Sequence, residues 1–140
     1  MNKKILGFNK RKLKKWFLYW VALAAGLFVL VFLITITLIG IDVKERCLAA
    51  QSQYEGDCVD ALAQVVDHEE NSLSERNFAI WALGIIGDEK ARPVIEKYYT
   101  GIIPDREPYN ETLSQYEMKK ALNLLGKFNP NHLIWNINSF

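Results

Sequence analysis

The sequence of 140 residues is short of almost everything that carries chemistry. Its two histidines, His68 and His132, lie far apart, and neither stands among residues that form a nucleophilic or metal-binding arrangement. Its two cysteines, Cys47 and Cys58, have no further Cys or His at ligand spacing, which excludes the usual zinc patterns. No glycine-rich phosphate loop is present. The pair Gly84-x-x-Gly87 closes a helical stretch, whereas anions bind at the opposite end, where free backbone N–H groups point outwards. The acidic turn Asp67-His68-Glu69-Glu70 reads as a solvated loop rather than a cation site. No catalytic, metal or cofactor site is therefore expected, and the chain is not expected to be an enzyme. Strand-like alternation is nearly missing too, which leaves an all-α fold.

The sharpest absence is of charge. No residue from Trp16 to Ile41 is charged, and about 20 apolar residues already span the hydrocarbon core of a bilayer. Residues 1–15 carry seven Lys/Arg and no acid. The expectation is a transmembrane helix over 16–41, with residues 1–15 as a basic cytoplasmic N-terminus and the rest of the chain outside, by the positive-inside rule. Trp16, Tyr19 and Trp20 sit at the basic end, suited to headgroup depth, and the hydroxyls of Thr35 and Thr37 can bond back to helix carbonyls. Residues 42–140 hold 10 Lys/Arg against 16 Asp/Glu, a net −6 that argues against nucleic acid as a partner. A cleaved signal peptide fits less well, because its apolar region runs to about 7–15 residues. Cutting near Cys47-Leu48-Ala49-Ala50 would also leave Cys58 unpaired. Lys44-Glu45-Arg46 before Cys47 is unlike a lipoprotein signal, and Ala22-x-x-x-Gly26, a small-xxx-small pattern, is common by chance in an apolar helix.

Beyond the anchor, residues 42–57 are expected to be a membrane-proximal linker, 58–128 the folded domain, and 129–140 an apolar tail. A domain this small is at the lower end for a comfortable core. Cys47 and Cys58 both fall just past the anchor, on the side where disulfides persist, and a bridge between them is expected. The sequence predicts four helices: 58–67, 73–86 (capped by Ser72, with Glu75 three residues on as a capping box, and stopping at Gly87), 89–99, and 112–127. Pro93 is tolerated only in the first turn of the third.

The second and fourth of these share a register. Ala82-Leu83-Gly84-Ile85-Ile86-Gly87 aligns with Ala121-Leu122-Asn123-Leu124-Leu125-Gly126, a spacing of 39 residues, within the period of helical-hairpin solenoids. With Arg76, Ala79, Asp88 and Ala91-Arg92-Pro93-Val94-Ile95, this stretch resembles the HEAT repeat family, in particular its phycobilisome-lyase type. The resemblance implies two degenerate repeats over 58–128, an α-solenoid of two helical hairpins behind one transmembrane helix. It also implies structural roles for Arg76, Gly84, Gly87 and Asp88, and polar contacts for Asp67 between turns or repeats. Two departures stand out: both connections, Asp67 to Arg76 and the loop with Pro104 and Pro108, are longer than the family's usual turns, and Gln115 stands where the first repeat has Arg76.

Aligning the two helices singles out Phe78, Trp81 and Ile85, spaced to share one helical face, against Glu117, Lys120 and Leu124. They form either a partner-binding stripe or packing against a neighbour. The tail, with Leu133, Ile134, Trp135, Ile137 and Phe140, is too apolar to be indifferent: it caps the last repeat, docks on the stripe, or inserts into another protein. The loop 100–111 is a further place for function, and its Asn110-Glu111-Thr112 matches a glycosylation sequon. These features point to a single-pass cell-membrane protein whose extracytoplasmic domain binds another envelope protein, as an adaptor or accessory subunit. The alternatives are a lyase-like enzyme related to the bilin-attaching members of the family, and a structural subunit held through its transmembrane helix. The expected partners are the lipid bilayer and a protein; the oligomeric state is not legible.

Overall fold

The structure, a computed structural model, describes residues 10–108 and 110–127. The described residues form five α-helices and a 3₁₀ turn, with no strand among them: α1 Lys10–Gln51, α2 Cys58–Asp67, α3 Leu73–Ile86, the turn Glu89–Ala91, α4 Arg92–Tyr98 and α5 Gln115–Leu124. The chain divides into two compact units, Met1–Leu38 and Ile39–Phe140.

The described part of the first unit is helix alone. Consecutive large apolar residues, Trp16 to Val21 and Leu27 to Ile34, all stand exposed. A helix that is apolar all round needs cover that the described residues do not provide. It is long and apolar enough to cross a membrane. Thr35 and Thr37 donate their hydroxyls to the carbonyls of Val31 and Leu33, each at 2.9 Å, so the two polar side chains in the run are satisfied within the helix.

In the second unit the structure corrects the expected linker over 42–57. Residues 42–51 contain neither Gly nor Pro, and α1 continues through them to Gln51. Val43, Cys47 and Ala50, spaced four and three apart, bury one face in the core. The core thus begins fifteen residues earlier than the expected domain start at 58. Only 52–57 turns, with Gly56 at φ 119°.

Helices α2 and α3 occupy the segments expected for them. Asp57 caps α2 by accepting from the Asp60 N–H at 2.9 Å. Ser72 and Glu75 form the reciprocal capping box of α3, and Gly87, at φ 75°, ends it in the left-handed region that glycine adopts without a Cβ penalty. The expected third helix, 89–99, is split. Asp88 caps the 3₁₀ turn, and Pro93 lies in the first turn of a shorter α4, where its missing N–H costs nothing. The fourth starts later and stops sooner than 112–127: Ser114 is its N-cap, and Leu125 leaves helical geometry at ψ 132°.

Helix α3 is central, packed on α2 and on α5, while α4 packs on α5. Leu62, Val66, Ile80, Leu83, Ile95 and Met118 fill the interior. Where α3 meets α5, a Cβ added at Gly84 would stand 2.8 Å from both Cα and Cβ of Ala121, so the close approach requires glycine. The Gly126 N–H donates to the Gly87 carbonyl at 3.3 Å, joining the two residues that the 39-residue register pairs. The tail residues Ile134, Trp135 and Ile137, with their expected capping role, lie outside the described residues.

Candidate functional site

Cys47 and Cys58 sit at disulfide distance, with Cα atoms 5.1 Å apart, and form the bridge. It ties the last turns of α1 to the first residue of α2. Arg76 and Asp88 are both engaged in polar contacts. Arg76 is buried, donates its Nε–H to the Val66 carbonyl at 2.8 Å, and lays its guanidinium over the Tyr98 ring. Asp88 accepts from the Lys90 N–H at 2.9 Å.

Phe78, Trp81 and Ile85 share a face of α3 and are half-buried. Trp81 and Ile85 lean on the core. Phe78 lies beneath the Arg46 guanidinium, 4.5 Å from its ring centroid, so the end of α1 covers one end of the stripe. At the matching register of α5, Glu117 and Lys120 pair at 3.1 Å. Beside Arg46 a recess of about 80 Å³ opens between the end of α1, α2 and α3, lined by Ala50, Leu62, Asn71 and Glu75 among others. That is well below the ~300 Å³ at which small-molecule sites begin.

The loop after α4 is held by three side chains, Asn77, Glu107 and Gln115, of which only Gln115 was singled out in the sequence. Asn77, fully buried on α3, donates to the Thr112 carbonyl and accepts from the Ser114 N–H, both at 2.8 Å. The Glu107 carboxylate reaches the start of α5, accepting from the Ser114 hydroxyl at 2.7 Å and from the N–H groups of Gln115 and Tyr116 at 2.8 and 3.2 Å. An anion there also meets the positive end of the helix dipole. Gln115 accepts from Thr100 and donates to the Tyr98 carbonyl, closing the other end of the loop. The pattern Ser114-x-x-Glu117 was the available signal, since it marks a helix start. Asn77 carried none, because its partners lie 35 and 37 residues away. Between these ties Ile102 projects with 76% of its surface exposed.

Ion pairs join the elements. Lys90 of the 3₁₀ turn reaches Asp57 at 2.7 Å, and Lys97 of α4 reaches Asp67 at the end of α2. The Lys97 ammonium, then the Tyr98 hydroxyl, holds the Asp67 carboxyl below the ordinary carboxylate range. Lys90, then the Asp60 N–H, does the same for Asp57. A carboxylate depressed in the folded state stabilises above its unfolded pKa, and that contribution is lost as pH falls through the folded value. The Asp67→Asn protein should therefore be less stable than wild type at pH 7, and the gap should close as pH drops below about 4. Thermal melts across that range check it; a gap that persists at pH 2 would contradict the assignment.

No group of three or more His, Cys, Asp and Glu side chains among the described residues comes together in a way that could hold a metal ion. No family model, curated protein or solved structure matches this chain. The HEAT resemblance therefore rests on the residues that carry it. What the arrangement offers is an aromatic stripe on the central helix and a tethered loop with an apolar tip.

Proposed function

We propose that the chain is a membrane-anchored protein-interaction module, with residues 1–15 cytoplasmic and the folded unit extracytoplasmic. The exposed apolar helix supports anchoring, and the seven-to-none charge bias of the basic flank supports the sidedness. The Cys47–Cys58 bridge suits an oxidising compartment. The HEAT-like reading, with hairpins α2–α3 and α4–α5 stacked side by side, draws support from the close approach of Gly84 to Ala121 and the Gly87–Gly126 bond.

The interaction reading is carried by one observation. Phe78, Trp81 and Ile85 remain half-buried on the face of the central helix where α5 has a charged pair and a leucine. A partner completing their burial gains from each roughly what interface aromatics contribute, ~2 kcal/mol or more. The test is affinity purification of the tagged full-length protein after mild solubilisation. Trp81→Ala should lower recovery of the copurifying protein about 30-fold, the equivalent of ~2 kcal/mol, with the helical circular dichroism retained. An unrelated spanning helix in place of 16–41 should leave recovery unchanged. Recovery insensitive to Trp81→Ala, or abolished by the anchor swap, would place the contacts elsewhere and favour a subunit held through its transmembrane helix. Protease added to intact cells with permeabilised outer layers should remove the folded unit; protection would reverse the topology.

A further inference from the structure

The basic flank of α1 carries a charge that nothing near it in the chain offsets. Residues 1–15 hold seven Lys/Arg, and the first acidic residue is Asp42, beyond the uncharged run. Lys14 and Lys15, the last of the seven, are exposed on the helix. They adjoin an aromatic face: Leu13, Trp16, Phe17 and Trp20, spaced three and four apart, stand on one side of α1. The Trp16 and Trp20 ring centroids lie 5.9 Å apart, with the planes tilted by 53°. With Lys14, these four side chains line an open recess on the helix surface.

Each part of this face matches one part of a phospholipid. Indole rings favour headgroup depth, where their N–H groups donate to phosphate and ester oxygens. A lysine beside them lays its methylene stem along the apolar surface and raises its ammonium into the phosphate layer. A zwitterionic headgroup brings its own cation and offsets none of the flank's charge, whereas an anionic one does. A soluble polyanion such as nucleic acid would neutralise the lysines but leave the rings uncovered. We infer that Lys14, Lys15, Trp16 and Trp20 form a docking surface for anionic phospholipid, which gathers around the basic end of the uncharged run. Each basic residue near an anionic lipid surface strengthens binding about fivefold, so the flank enriches such lipids over zwitterionic ones and fixes the depth of the anchor. The inference rests on the anchoring proposed above.

Trp16 and Trp20 report on it directly. Full-length protein is reconstituted into vesicles of phosphatidylcholine and phosphatidylglycerol in equal parts, with bromine near the headgroup on one lipid or the other. Subtracting the emission of Trp16→Phe, or of Trp20→Phe, from that of wild type isolates each ring. The expected result is quenching of both rings ~2-fold or more stronger when phosphatidylglycerol carries the bromine, a preference that weakens at high salt as the charges are screened. Lys14→Gln combined with Lys15→Gln should lose most of the preference, yet be quenched like wild type when both lipids are brominated. Equal quenching by the two lipids in wild type overturns the inference and leaves the anchoring intact. A preference that the double variant retains in full overturns it as well, since the preference then belongs to the rest of the flank. Quenching by neither lipid overturns both the inference and the anchoring.

Discussion

Replacing Cys58 with Ser is expected to lower the stability of the folded unit by about 3 kcal/mol, the loop-closure entropy of a bridge across so short a loop. The bridged residues are 11 apart in sequence. Their bridge joins the last turns of α1, which supply Val43, Cys47 and Ala50 to the core, to the first turn of α2. Without it α1 must be held by packing alone. For a small domain whose whole stability is ~5 kcal/mol or somewhat more, the change is large. Urea titration of the full-length protein in bilayer discs, followed by pulse proteolysis, should show the midpoint drop. The wild type in reductant should fall to the same midpoint. Equal midpoints for wild type and Cys58→Ser without reductant would show that the bridge contributes nothing.

A comparable loss, about 2–3 kcal/mol, is expected for Asn77→Ala. Asn77 is fully buried and its amide satisfies the Ser114 N–H and the Thr112 carbonyl. Removing it leaves the buried Ser114 N–H unpaired, at roughly 1–3 kcal/mol, and opens a small void. The effect should be local in its pattern: hydrogen exchange should quicken at Thr112 to Tyr116 and through the first turn of α5 before it quickens in α2. Uniform acceleration, or none, would mean that the loop is held chiefly by Glu107 and Gln115.

The helices of the first hairpin were legible because their signals are local. Ser72 and Glu75 lie three apart, and Gly87 ends the helix it follows. The 58–67 boundary followed from its apolar face, and Asp57 added a cap that the spacing alone did not single out. The fourth helix was misjudged at both ends. Its start is governed by a carboxylate from seven to nine residues upstream, and its end by the meeting of Gly126 with Gly87. The linker expected over 42–57 was an error of category: the change from apolar to charged residues at Asp42 marks a change of surroundings, and a helix is indifferent to that when no Gly or Pro interrupts it.

By itself the sequence determined the long uncharged helix with its basic flank, the all-α character, the cysteine pair and the register that brings Gly87 to Gly126. Each of these depends on composition or on short, regular spacing, so the chain states it without reference to its own fold. Only the tertiary structure decided that the end of α1 belongs to the core, that Arg46 covers Phe78, and that Asn77 holds a loop more than thirty residues away. Those contacts join side chains distant in sequence. Whether a half-polar residue meets water, a carbonyl or an aromatic ring is set by the packing of helices around it, which no local pattern encodes.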